Sequence, residues 1–223
     1  TYDLALNETV KQSKQVPVQI NYSIGSSRFK KIPDKLDIKL LEEIDETKIL
    51  NWFPSGRMIH GIETRRNDPS GITHVHHFYS KRNLIFLSKF KSLIQTANQN
   101  LLITKVAFQI TKLYRFTYQS GVWGAGGGPL SGTLYVPSLI KELNIIKRMK
   151  SALRQRRKVK FPKSYGNFVG SNQSSSSLQK IPDNSLDYIF VDPPFGANFS
   201  YSELAYFWEA WLKVITNNND EAI

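Results

Sequence analysis

Residues 188–196 read Tyr188-Ile189-Phe190-Val191-Asp192-Pro193-Pro194-Phe195-Gly196, an apolar run that ends in an acid, two prolines and an aromatic ring. The apolar part has the length of a strand, and Pro182-Asp183-Asn184-Ser185 forms a turn signal ahead of it. Each proline fixes φ and lacks an N–H, so a strand cannot continue through them. A polar residue at the carboxyl end of a strand in an open α/β sheet stands where such sheets bind ligands. The segment therefore predicts an α/β chain with Asp192 at a ligand edge. The plainer reading is that Asp-Pro-Pro only stops a buried strand.

Asp192, Pro193, Pro194 and Phe195 also match a family signature: Asp, Asn or Ser, then two prolines, then an aromatic residue. The match resembles methyltransferases that use S-adenosylmethionine to modify the exocyclic amine of a nucleobase. Two further stretches carry the likeness to large bacterial DNA methylases of this kind. One is Tyr201-Ser202-Glu203-Leu204, which leads into a helix-like segment containing Trp208 and Trp211; the other is residues 71–84, Gly71 to Leu84. The resemblance spans residues 60–215 and leaves the first sixty residues without a counterpart.

The chemistry implied by the resemblance uses each part of the tetrapeptide. A base amine is a poor nucleophile because its lone pair is delocalised into the ring. The Asp192 carboxylate and the Pro193 carbonyl would accept both amine hydrogens and favour a pyramidal nitrogen, with Pro194 holding the backbone. Phe195 would stack on the extruded base. Direct displacement needs no covalent enzyme intermediate, so a chain without cysteine suffices. Ring-carbon methylation of cytosine, which needs a cysteine nucleophile, is excluded, as are disulfides and cysteine zinc sites.

The family's cofactor signature, Asp-Pro-Phe-x-Gly-x-Gly-Thr, occurs nowhere in the sequence. The expected fold is a partial Rossmann-like sheet carrying a large, basic, mainly helical inserted region. Its expected segments are a mixed 1–60, an inserted 61–165 and a partial catalytic core 166–223. The missing signature would lie before residue 1 or, in a permuted order, after residue 223, and cofactor binding would be incomplete. By resemblance Ser174, Ser175 and Ser176 would lie beside the cofactor adenine, although a Ser-rich stretch is also what a linker looks like. The alternatives are an RNA base-amine methyltransferase and a non-catalytic nucleic-acid-binding module with a vestigial motif. The expected partner is DNA, with a restriction or defence component in addition.

Charge supports a polyanion partner. The 223 residues carry a net charge of +12, and residues 70–181 hold 18 Lys and Arg against the single acid Glu142. Nine of the cations fall in residues 147–163: Lys147, Arg148, Lys150, Arg154, Arg156, Arg157, Lys158, Lys160 and Lys163. A basic helix face is often merely solvated, but such a face normally mixes in acids, and this one has none. Phosphate contacts of this kind give affinity and salt sensitivity rather than sequence choice. No stretch approaches the roughly 18 apolar residues of a membrane span. Without a signal peptide at Thr1-Tyr2-Asp3-Leu4, the expected compartment is the cytoplasm.

Elsewhere, periodicity and capping chemistry predict local structure. Residues 16–22 alternate like a strand, and residues 33–50 read as an acidic helix capped by Asp34. Residues 52–56 and 65–71 read as loops. Leu84, Leu87, Phe90 and Ile94 form one helical stripe, and a second helix is expected over 101–116. The glycine cluster at 121–128 follows a helical stretch rather than a strand, so it reads as a flexible loop, with loop and strand over 129–137. Ser138 would cap a basic amphipathic helix with Leu139, Leu143, Ile146 and Leu153 inward. His74, His76 and His77 have no acid close in sequence, so structural or nucleic-acid contacts suit them better than a metal.

Overall fold

The computed structural model describes residues 1–117, 127–158, 170, 177–192, 199–217 and 219. Among them are six α-helices and two antiparallel two-stranded sheets. The first pair, β1 (Tyr2–Asp3) and β2 (Glu8–Thr9), is a short hairpin at the amino terminus. The second, β3 (Ile20–Ile24) and β4 (Ser27–Lys31), pairs Tyr22 with Phe29 and Ser23 with Arg28. Gly25 holds a positive φ of 58° at the first position of its two-residue turn, which a side chain would disfavour. The strand expected over 16–22 therefore starts later, at Ile20. Pro17 explains the shift, because it cannot donate to a ladder.

Helix α1 (Lys35–Glu46) opens on Asp34, as its sequence predicts. The Asp34 carboxylate accepts from the Leu36 and Asp37 N–H groups, and Asp37 accepts from the Asp34 N–H. Donors otherwise orphaned at the helix start are thus satisfied reciprocally. One turn of helix, α2 (Ile62–Arg65), follows the 52–56 loop, and α3 (Lys81–Ser92) begins at the Ser80 cap. The helix expected over 101–116 is instead α4 (Ala97–Ala107), which ends in a 3₁₀ turn at Phe108–Ile110. Thr96 and Gln99 form a capping box that sets the earlier start.

Helix α5 (Ile145–Lys158) also begins later than expected. The Lys147 N–H donates to the Asn144 side chain, so Asn144 supplies the cap rather than Ser138. Its inward face is Ile145, Met149 and Ala152, while Leu139, Ile146 and Leu153 are exposed. The two stripes are offset by one residue, about 100° of rotation about the helix axis, and packing against α4 selects the one with Met149 and Ala152. No strand forms over 129–137. Leu134 is buried there because its backbone is held on both sides: its N–H donates to Glu63 and its carbonyl accepts from Asn67.

The last helix, α6 (Tyr201–Leu212), completes one apolar core that runs from Met58 to Trp211. Phe207 meets Phe78 edge to face at 4.8 Å between ring centroids. The Trp211 indole N–H donates to the Tyr79 hydroxyl at 3.0 Å, and that of Trp208 donates to the Thr104 carbonyl at 2.7 Å. Buried indoles need such partners, and each large ring removes substantial apolar area from water. Glu203, singled out above within the Tyr-Ser-Glu-Leu segment, is a buried structural carboxylate. It accepts from the Thr64 N–H at 2.7 Å and the Thr64 hydroxyl at 3.0 Å, tying α6 to α2. Gly61 must lack a side chain, since a Cβ there would overlap the Glu203 carboxylate.

Candidate nucleic-acid interface

Helix α5 sorts its residues by chemistry. Lys147, Lys150, Arg154, Arg157 and Lys158 are exposed, and Arg148 and Arg156 are half-buried. Arg148 lies over the Tyr114 ring at 5.9 Å, which orients its guanidinium. Arg156 lines a groove between α4 and α5 together with Lys105 and Ala152. Lys105 of α4 thus adds a cation beside the α5 cluster.

The charges on α5 stand without carboxylate partners among the described residues. Among the described residues Arg57 pairs with Asp68, Arg66 with Glu63, Arg82 with Glu142, and Lys31 with Asp34 and Asp37. No cation of α5 is in an ion pair there. Arg156, Arg157 and Lys158 do complement the carboxyl-terminal end of the helix dipole, which contributes to helix stability. That interaction is worth at most about 1 kcal/mol at an exposed position and accounts for the last turn only. Lys147 and Lys150, in the first two turns, gain nothing from it. Lys160 and Lys163 lie outside the described residues.

Asp192 is exposed at the end of residues 188–191, which form no strand. Tyr188 and Phe190 are each 80% exposed, so the expected buried strand is not formed. A strand needs a neighbour for its backbone ladder and cover for its side chains, and among the described residues no strand pairs with this one. Pro193, Pro194 and Phe195 lie outside the described residues, as do Ser174, Ser175 and Ser176. The turn ahead of the segment is present: the Ser185 hydroxyl donates to the Pro182 carbonyl at 2.6 Å.

A third group assembles from distant parts of the chain. His76 and His77 lie in a 3₁₀ turn (Val75–Phe78), and both are buried. Each places its Nε2 at 2.8 Å from the same Asp3 Oδ2. The acid that sequence neighbours do not provide thus comes from β1, more than seventy positions away. The three ligand atoms lie within 4.8 Å of one another, close enough to hold a metal ion. Hydrogen bonding argues for a different role. His77 Nδ1 accepts the backbone N–H groups of Thr73 and His74 at 3.3 and 3.4 Å, which places the ring proton on Nε2, pointing at Asp3. In that tautomer His77 offers Asp3 a hydrogen bond rather than a lone pair to a metal, while the buried His76 Nδ1 has no partner among the described residues. The cluster clamps the amino terminus to the core.

Burial pushes the His76 and His77 pKa values down, with Asp3 opposing. Burial alone would raise Asp3, but the hydrogen bonds from His76 and His77 outweigh it and hold the carboxyl well below its usual range. Burial also pushes the nearby Lys112 ammonium down to about 8. Folding therefore favours the neutral histidines, whereas the unfolded chain takes up protons near pH 6.5. Because the unfolded state binds more protons, stability is full above that pH and declines as pH falls below it. A thermal melt should show this decline, and His76→Gln with His77→Gln should flatten it. An unchanged pH profile in the double variant would remove the clamp from the stability argument.

Among the described residues no helix is long and apolar enough to cross a membrane. Comparison with protein-family models, with curated proteins and with solved structures finds no match for this chain.

Proposed function

We propose that this chain is the DNA-gripping and amine-activating part of a methyltransferase that uses S-adenosylmethionine to methylate an exocyclic amine of adenine or cytosine. The observation that carries the DNA grip is the run of cations along α5 that, among the described residues, are in no ion pair, set on a helix whose other face is fixed in the core. The reading of the chemistry rests on Asp192-Pro193-Pro194-Phe195, with Asp192 exposed to an incoming base.

The described residues do not fit a cofactor pocket. Asp192 faces solvent, and Tyr188 to Val191 leave their apolar side chains uncovered. In this reading the cofactor contacts lie outside the described residues, and the work assigned to these ones is limited to the base. Asp192 accepts from the amine, and Phe195 supplies a stacking face. Duplex affinity comes from α5 and carries no sequence information by itself.

Two assays test the proposal. Methyl transfer from labelled cofactor is measured on duplex DNA and on RNA with the complete natural polypeptide, and nucleic-acid binding is measured with this chain alone. Incorporation into base amines of DNA is the expected result. Incorporation confined to RNA would redirect the reading, and salt-sensitive binding without any transfer would leave a binding module. Within the same assay, Phe195→Ala should cost about 1–3 kcal/mol if the ring stacks on a base. Phe195→Tyr should keep activity, and equal performance of Ala and Tyr would end the stacking role.

A further inference from the structure

We infer that the β3–β4 hairpin is a base-reading ribbon that works beside α5, an inference that rests on the nucleic-acid reading proposed above. Alternation along the paired strands places Asn21 and Ser23 of β3 on one face with Lys30 and Arg28 of β4. Tyr22 and Phe29 lie on the other face, stacked at 5.4 Å. The two faces have different jobs. A two-stranded ribbon is only marginally stable alone, and a directly opposed aromatic pair is among the stronger cross-strand contacts available to it. Tyr22 and Phe29 hold the ribbon together, and the opposite face is exposed to solvent.

That face carries the donor and acceptor chemistry of a base reader. Arginine and lysine suit the acceptor edge of guanine, and asparagine suits adenine, in a major groove wide enough for a two-stranded ribbon. Among the described residues Arg28 and Lys30 are in no ion pair, unlike Lys31, which bonds to Asp34 and Asp37 at the start of α1. Residues 10–33 contain five cations and no acid, so the field around the ribbon matches a phosphate backbone. The ribbon also touches α5: Lys147 donates to Ser23 on the polar face at 3.0 Å. The polar face of the ribbon thus continues the basic face of α5. Duplex DNA held by phosphates on α5 would present its groove to Asn21, Arg28 and Lys30.

Selection from a pool of randomised duplexes tests the inference. The chain with its natural residues should enrich a short motif, and its affinity for a random duplex should fall steeply with salt. Arg28→Ala with Lys30→Ala should reduce preference at one or more motif positions by about tenfold, on top of a smaller loss of affinity shared by every duplex because two cations are removed. Tyr22→Ala with Phe29→Ala, which leaves those cations in place but loosens the ribbon, should blur the same positions. An unaltered motif in both variants would overturn the inference. So would a loss of affinity in the Arg28 and Lys30 variant that is equal for every sequence and leaves the preference intact, because that marks phosphate contacts only. If the natural chain enriches no motif yet binds with a steep salt dependence, the inference fails and the α5 reading stands. Absence of any salt-sensitive binding removes both.

Discussion

Asp192→Ala in the complete natural polypeptide should lower methyl transfer by about 10²–10⁴-fold, the range over which a positioned proton-handling group acts. The expected mechanism is specific. An exocyclic amine attacks only when its lone pair leaves conjugation with the ring, and a carboxylate that accepts an amine hydrogen favours that geometry. DNA affinity should barely change, since Asp192 is exposed, belongs to no helix or strand, and lies outside the apolar core. Removal of a side chain in that setting does not disturb the packing that holds α5 in place. Asp192→Asn is a useful intermediate: its carbonyl still accepts one hydrogen, so activity should fall less than with Ala. Parallel measurement of transfer rate and duplex affinity decides the matter. Equal loss of both would place Asp192 in binding, and no loss of either would remove it from the mechanism.

Local features of this fold are written in short stretches of sequence. The Asp34 cap of α1 and the Ser80 cap of α3 each depend on one side chain reaching a backbone N–H within three residues, and both are readable without a structure. The stripe of Leu84 and Leu87 is legible for the same reason, because helix period alone brings those residues together. Legibility ends where partners are distant. Asp3 is unremarkable in sequence and gains its meaning from His76 and His77, just as Glu203 gains its from Thr64. Rotation of α5 toward Met149 and Ala152 is set by the surface of α4, not by the helix itself. The apolar run at 188–191 shows the opposite limit. Its composition predicts a strand, yet a strand is a property of a pair, and these residues have no neighbouring strand among those described.

Charge reversal on α5 should have the second large effect, and it needs only this chain. Lys150, Arg154 and Arg157 are the positions of choice because all are exposed. Arg156 is spared, since it lines the groove against α4 and its loss would mix packing with charge. If the three cations each neutralise a phosphate, changing them to Glu should flatten the slope of log affinity against log salt by about 2.7, from roughly 0.9 per contact. Affinity should fall by a similar factor for every duplex sequence, because phosphates carry no base information. The helix should survive: Ile145, Met149 and Ala152 remain buried, and the dipole cost of an acid near the carboxyl end is confined to Arg157 in the last turn. A solvated face predicts otherwise, with weak binding at the outset and no change in slope. Circular dichroism separates the remaining outcome, since loss of helix would show that these cations support the fold rather than a phosphate backbone.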